Sequence, residues 1–207
     1  MSKPSSSMLT TGLVGSWLLA SAWAVMLLGA IVLLATGMGS LDMRVGMSIG
    51  GFAVIAGILW LGGAVCEGIG WVGLGRLYPG LPTFIGWLEG SLPPLSLIFF
   101  AIGITALELP EVLAHLMIVL ILLHFLFAFV WMLGHGPRNL TVPAAVGYGL
   151  ALVGGIVLYV CALARIDIEA FALVLMVAFL SGGTAAHLAT AILFSRSRTL
   201  ADSVNTF

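Results

Sequence analysis

Residues 118–130 read IVLILLHFLFAFV, an apolar run interrupted only by His124. A transmembrane β-strand would alternate apolar and polar residues over about ten positions, and this run does not alternate. A membrane-spanning helix needs about 20 mainly apolar residues, and the 26 residues between Glu111 and Arg138 carry no Asp, Glu, Lys or Arg. The run therefore predicts a helix that crosses a membrane.

The rest of the chain repeats this pattern. Hydrophobic residues make up 61% of the 207 and charged residues 7%, whereas about a quarter of the residues in a soluble domain are charged. The fold class we predict is all-α, a polytopic integral membrane bundle of six transmembrane helices arranged as three helical hairpins, because the turns within each pair are very short. One transmembrane domain fills residues 1–207, and the tails 1–10 and 195–207 are predicted to be flexible. The predicted spans are about 12–37, 45–70, 83–107, 111–134, 142–164 and 169–194.

Composition and motifs exclude several classes of function. The formal net charge is −1, from 7 Lys+Arg against 8 Asp+Glu, so the chain lacks the basic excess that binds nucleic acid. Cys66 and Cys161 lie in apolar runs and are interpreted as core residues. The sequence has no GxxxxGK[ST] loop, HExxH pair, GxSxG elbow or CxxCH attachment site. We therefore predict a protein that is not an enzyme and that has no cofactor and no metal site.

The basic residues predict the orientation, because cytoplasmic loops carry an excess of Lys and Arg. With the N-terminus inside, five of the seven basic residues are cytoplasmic. Both termini are then cytoplasmic, and the predicted location is a bacterial inner membrane. The cytoplasmic set is Lys3, Arg76, Arg138, Arg196 and Arg198, and the opposite set is Arg44 and Arg165.

A few ionisable residues lie within the spans, where they are costly and usually face the bundle interior. Glu67, Glu89 and His187 lie at similar depths, about 10 to 14 Å from one boundary at 1.5 Å per residue. Pro93 lacks an N–H, which frees the carbonyl of Glu89 and predicts a kink; Thr184 lies one turn from His187. These five residues are the candidate protonatable or solute site. The alternative interpretation is structural, with both carboxyl groups reaching the interface or hydrogen-bonded within the bundle.

The remaining span histidines do not form an evident metal site. His115 and His124 are nine residues apart on one helix, so they point to opposite faces. His124 is interpreted as a lone, hydrogen-bonded core residue. A haem held by His124 and His187 stays an alternative, which an absorbance spectrum would test.

Several segments resemble the repeated hairpin of HdeD-type acid-resistance membrane proteins. The resemblance implies six spans in three hairpins. It also implies a role in an envelope stress response such as acid resistance. The segments that carry it are Ser16–Leu19, Gly29–Leu33, Gly50–Leu59, Trp87–Gly90, Gly182–Gly183 and Ser195–Arg198.

The predicted function is that of an inner-membrane protein of envelope stress or acid resistance, pH-responsive through the Glu67, Glu89 and His187 cluster. One alternative is a small channel or transporter for protons or a small neutral solute. Another is a non-catalytic subunit of a larger membrane complex. Apart from the lipid bilayer, the predicted partners are a second copy or other membrane proteins, contacted through glycine-rich faces. Those faces are Gly46, Gly50 and Gly57, and Gly147, Gly154 and Gly155.

Overall fold

The computed structural model describes residues 6–36, 43–105, 110–135, 138–164 and 169–205. Within these residues the chain forms six α-helices, and the described part of each predicted span lies on one of them. The predicted all-α architecture is confirmed. The helices are α1 (Ser6–Thr36), α2 (Met43–Leu77), α3 (Leu81–Thr105), α4 (Pro110–Gly134), α5 (Arg138–Leu163) and α6 (Glu169–Asn205).

The six helices pack as a closed ring in chain order. Each helix contacts the next one along the chain, and α6 returns to pack against α1. The three predicted hairpins are present as the α1–α2, α3–α4 and α5–α6 pairs. The helices α2 and α6 also touch across the ring, so side chains from non-adjacent helices can meet at its centre.

The outer surface of the ring is apolar, which identifies an integral membrane protein. Large apolar side chains such as Ile58, Val153 and Trp87 are exposed on different helices, whereas the buried set includes Glu and His. Among the described residues, five helices contain a stretch long and apolar enough to cross a membrane, namely α1, α2, α4, α5 and α6. The described part of α3 contains Glu89 and Pro93, which lower its hydropathy, so its membrane crossing stays a prediction.

The α2–α3 turn sets the two glutamates at the same level. Gly80 has φ of +118°, a left-handed conformation that glycine adopts without steric cost. This turn lets α3 start four residues after α2 ends. Glu67 lies ten residues before Leu77 and Glu89 eight after Leu81, so both are about 12 to 15 Å from the turn. The turn therefore aligns the two carboxyl groups on neighbouring antiparallel helices.

The prolines of α3 do not interrupt the helix. It continues through Pro93 and Pro94 as one element, and the kink expected at Pro93 stays a prediction. Two hydroxyl groups bond carbonyls in this region, Ser91 Oγ to Leu88 O at 2.8 Å and Ser96 Oγ to Pro93 O at 2.7 Å. Ser and Thr side chains of this kind help membrane helices to accommodate proline.

The tails are more ordered than the composition predicts. The helix α1 begins at Ser6 and α6 continues to Asn205, so half of the first predicted tail and most of the second are helical. Leu9 and Ala201 are fully buried and Ser197 nearly so. Apolar or small residues at helical spacing form one packed face at each of these ends. The Ser/Thr-rich composition does not show this, because it ignores how the residues are spaced.

The second glycine face packs inside the chain and does not form an outer surface. A Cβ at Gly147 would meet the backbone of Ala186, and one at Gly154 or Gly155 would meet Phe179. These glycines therefore bring α5 close to α6. Gly57, from the other predicted face, has no atom within 4 Å of such a Cβ among the described residues. Association with a second copy or a partner stays a prediction.

Candidate site: an ionisable cluster inside the helix ring

Five of the six helices place a polar side chain at one level inside the ring. Every member of this set is at most 2% exposed. Three of them, Glu67, Glu89 and His187, offer ligand atoms that all lie within 4.8 Å of one another. The ionisable cluster consists of Glu67 on α2, Glu89 on α3, His124 on α4, Tyr148 on α5, and His187 and Thr190 on α6.

Glu67 is the best-connected member of the cluster. His187 Nδ1 lies 3.1 and 3.0 Å from its two carboxyl oxygens. Trp71, one turn further along α2, donates its indole N–H to Glu67 Oε1 at 3.3 Å. A glutamate between an imidazole and an indole N–H has the donors that a buried carboxylate requires. Glu67 therefore faces the interior and does not reach the membrane interface.

Tyr148 and Thr190 extend the contacts of Glu67 toward α5 and α6. The two hydroxyl oxygens lie 3.0 Å apart, and Thr190 Oγ1 donates to Ala186 O at 2.9 Å. Because a hydroxyl has one hydrogen, Tyr148 is then the donor to Thr190. The Tyr148 oxygen is also 3.5 Å from Glu67 Oε1, so its hydrogen can turn from one acceptor to the other.

Glu89 and His124 form a second, looser pair. Glu89 Oε1 lies 3.7 Å from His124 Nε2, which is too long for a direct hydrogen bond. Among the described residues, Glu89 Oε2 and both ring nitrogens of His124 are buried without a hydrogen-bond partner. Buried polar atoms are nearly always paired. These three atoms are therefore the ones in the cluster that could still bind a hydrogen-bond partner or an ion.

Two residues of the sequence-predicted site do not join it. Thr184 is half-buried, and its hydroxyl donates to Leu180 O in its own helix at 2.9 Å. Pro93 is buried one turn beyond Glu89 on α3, and it contributes helix packing and no polar side chain. The structure thus brings together Glu67, Glu89 and His187 and leaves Pro93 and Thr184 outside.

Three cluster members were not predicted as site residues. His124 was interpreted as a lone core histidine, which is wrong because it lies against Glu89. Tyr148 and Thr190 carried no site prediction. Counting inward from the nearest helix boundary gives a usable signal, since Tyr148 is ten residues after Arg138 and His124 is ten before Gly134. Both therefore share the depth of Glu67.

Aromatic rings enclose the cluster on two sides. Trp71 packs edge-on against Trp131 and Phe194, with centroid separations of 5.6 Å in both pairs. On the other side Trp23 stacks near the His187 ring at 6.3 Å and meets Phe179 edge-on at 4.9 Å. The cluster side chains are at most 2% exposed, so charge within the cluster must be balanced locally.

An apolar cavity of about 560 Å³ lies beyond the Trp23 and Phe179 layer. Its walls come from α1, α2, α4, α5 and α6. The cavity therefore approaches the cluster to within one layer of aromatic rings. Its lining includes Met26, Ala56, Trp60, Leu122, Tyr159 and Phe179.

The hydroxyl pair provides a test of this geometry. Replacing Tyr148 by phenylalanine is expected to lower the free energy of unfolding by about 1 kcal/mol, because Thr190 and Glu67 lose a donor. A double-mutant cycle with Thr190→Val, followed by thermal unfolding, measures the coupling. Additive effects of the two substitutions would contradict the Tyr148–Thr190 hydrogen bond.

Comparison of the chain with protein-family models, with curated proteins and with solved structures finds no match in any of the three. Its function must therefore be argued from the cluster, which is built by five helices of an integral membrane protein.

Proposed function

We propose that this protein is a pH-responsive integral membrane protein, in which the ionisable cluster binds and releases protons. The observation that carries the proposal is the buried contact between His187 Nδ1 and both oxygens of Glu67, at 3.0 and 3.1 Å. Histidine changes its charge between about pH 5 and 8. A proton taken up there changes the charge at the centre of the ring.

The charge balance of the cluster supports two bound protons near neutral pH. A buried charge is costly unless it is paired. Glu67 and His187 need one proton between them, whether it resides on the imidazole or on the carboxyl group. Glu89 has no hydrogen-bond partner for Oε2 among the described residues, so we expect it to hold a second proton. The cluster is then neutral overall.

The ionisable groups that face one another in the cluster come from five of the six helices. Glu67 belongs to α2, Glu89 to α3, His124 to α4, Tyr148 to α5 and His187 to α6. The sequence of α1 contains no ionisable side chain between Ser6 and Thr36. Proton uptake therefore changes the charge at the point where side chains of these five helices meet.

Infrared spectroscopy tests the bound protons directly, because a neutral carboxyl group has a C=O stretch separate from the amide bands. We expect a protonated-carboxyl band at pH 7 that loses the intensity contributed by Glu89 in Glu89→Gln. The band should persist in Asp202→Asn, a matched control at the exposed end of α6. If Glu89→Gln leaves the spectrum unchanged between pH 5 and 8, the proposed protonation of Glu89 is wrong.

Location and physiological role belong to the same proposal. The basic-residue distribution supports an inner-membrane protein with both termini cytoplasmic, which reporter fusions at Arg198 and in the 165–168 connection would test. The resemblance to HdeD-type proteins favours acid resistance. A deletion strain should then lose survival at low pH and regain it with wild type, but not with the Glu67→Gln, Glu89→Gln double variant.

Transport is a second candidate, favoured by the cavity that ends at the Trp23 layer. A proton or small neutral solute would enter that cavity and pass the cluster. Flux into proteoliposomes after a pH step from about 7 to 5, compared between wild type and the same double variant, distinguishes the two functions. Flux lost in the variant supports conduction, whereas proton binding without flux supports a sensor.

A further inference from the structure

The geometry points to a divalent transition-metal site at the centre of the ring, with Glu67, Glu89 and His187 as ligands and His124 as the fourth. The inference goes beyond proton binding, although it uses the same residues. Only the number of protons released on metal binding rests on the proposed function. The ion expected is zinc, or a similar first-row ion that accepts mixed nitrogen and oxygen ligands.

The distances suit a single ion. Metal bonds to imidazole nitrogen and carboxylate oxygen are about 2.0 to 2.2 Å, so ligands of one tetrahedral ion lie about 3.4 Å apart. The Glu89 Oε1 to His124 Nε2 distance is 3.7 Å. The donor atoms of Glu67, Glu89 and His187 all lie within 4.8 Å of one another. His124 lies outside this group of three and reaches it through Glu89, so its Nε2 would join the same ion together with Glu89 Oε1.

The unpaired atoms give an independent indication of a missing ligand. Glu89 and His124 are each 2% exposed. Among the described residues, Glu89 Oε2 and both His124 nitrogens have no hydrogen-bond partner. Purely structural Glu and His residues in a bundle interior would be expected to hydrogen-bond each other. Their separation of 3.7 Å is too long for a hydrogen bond and close to the distance between two ligands of one ion.

The charge balance also fits a divalent ion. Two carboxylates and two neutral imidazoles carry a charge of −2, which one divalent cation neutralises inside the apolar ring. The metal-free cluster reaches neutrality with two protons. Binding therefore exchanges one M²⁺ for two H⁺, one from the Glu67–His187 pair and one from Glu89. Neither the metal-free nor the loaded cluster leaves a net buried charge.

The ligand types select the class of ion. Calcium and magnesium prefer oxygen ligands alone, whereas imidazole together with carboxylate suits zinc, iron and manganese. Outer contacts are present as well: Trp71 Nε1 bonds Glu67 Oε1 at 3.3 Å, and Tyr148 O–H lies 3.5 Å from the same oxygen. Such contacts orient a ligating carboxylate. Both are made to Oε1, so we assign Oε2, which lies 3.0 Å from His187 Nδ1, as the oxygen that binds the ion. Trp71 and Tyr148 are thus positioning residues.

The test measures metal content and affinity in the full chain, purified in detergent without a histidine tag. Cells are grown in medium supplemented with Zn²⁺, Mn²⁺ or Fe²⁺, so that the site can load during folding. We expect about one ion per chain in wild type, lost in the Glu67→Gln, Glu89→Gln variant. His135→Asn, at an exposed position beyond the bundle core, is the matched control and should keep its metal.

Calorimetric titration of the chelator-treated protein with Zn²⁺ measures the exchange. Affinity should rise with pH, by up to about 100-fold per pH unit if two protons leave. Tyr148→Phe should weaken binding by about 10- to 100-fold, whereas His135→Asn should leave the affinity unchanged. Wild type without metal from any medium, or a double variant that retains it, would overturn the inference.

The two proposals fail differently. Absence of metal together with a protonated-carboxyl band that depends on Glu89 would leave the pH-responsive function intact. Metal binding with no proton release, measured in buffers of different ionisation enthalpy, would keep the metal site and overturn the proton count. The infrared and metal measurements therefore separate the two.

Discussion

Replacing Glu67 by alanine is expected to lower the free energy of unfolding by about 3 to 5 kcal/mol, the usual cost of removing one partner of a buried charged pair. His187 Nδ1 would lose both carboxyl oxygens, and the indole N–H of Trp71 would lose its acceptor. Glu67 is fully buried, so the truncation also leaves a cavity. Reversible unfolding in mixed detergent micelles measures the loss.

Glu67→Gln is the matched control for this prediction. Glutamine keeps the volume, its amide oxygen can accept from Trp71, and its NH₂ can donate to a neutral His187 ring. We expect it to recover most of the stability lost in Glu67→Ala while removing the titratable group. If the two variants are equally unstable, the negative charge matters more than the packing and hydrogen bonds of the side chain.

The fold could be predicted because a chain segment inside a membrane must be apolar and must make all its backbone hydrogen bonds internally, which a helix does. Long uncharged stretches identify the helices almost to the residue at α4, where the predicted span 111–134 compares with Pro110–Gly134. The ends of α1 and α6 were harder, because their polar residues suggest solvated tails. On α6, Thr190, Phe194, Ser197 and Ala201 follow helical spacing and are all buried, a periodicity that composition alone does not reveal.

The site could be predicted only in part, because the sequence gives the depth of a residue in the membrane but not the direction in which its side chain points. Glu67, Glu89 and His187 could be placed at one level by counting residues from a shared boundary. Whether they face each other depends on helix rotation, and the transmembrane helices show little amphipathic pattern because lipid and bundle interior are both apolar. The contact of His124 with Glu89 could not be predicted from spacing along α4, because it depends on how α3 and α4 are rotated toward each other.

Pro93 and Thr184 show the opposite error. Each belongs to a residue type that often marks an intramembrane site, and each lies one turn from a true cluster member. One turn is about 5.4 Å along a helix, which is enough to place Thr184 beside its own Leu180 carbonyl at 2.9 Å. Sequence spacing thus identifies the level of the cluster but not its membership.

The contact between α1 and α2 is the part of the fold on which the cluster depends most closely. These helices cross where Gly12 and Gly15 of α1 face Gly63 and Gly70 of α2. A Cβ at Gly15 would overlap the backbone N of Glu67 and would lie 2.6 Å from the carbonyl carbon of Cys66. No side-chain rotation relieves an overlap with backbone atoms.

Gly15→Leu is therefore expected to separate α1 from α2 and to lower the free energy of unfolding by about 3 kcal/mol or more, the upper range for overpacking. The same substitution should displace Glu67 from His187 and abolish the proton and metal signals of the cluster. Gly29→Ala on α1 is the control, because its Cβ would meet the Phe52 ring at an ordinary 3.6 Å. A stable Gly15→Leu protein with an intact cluster would show that α1 does not position Glu67. Loss of both stability and the cluster signals would instead show that α1 holds Glu67 at the centre of the ring. The helix α1 would then serve the cluster by packing alone, because it contributes no ionisable group.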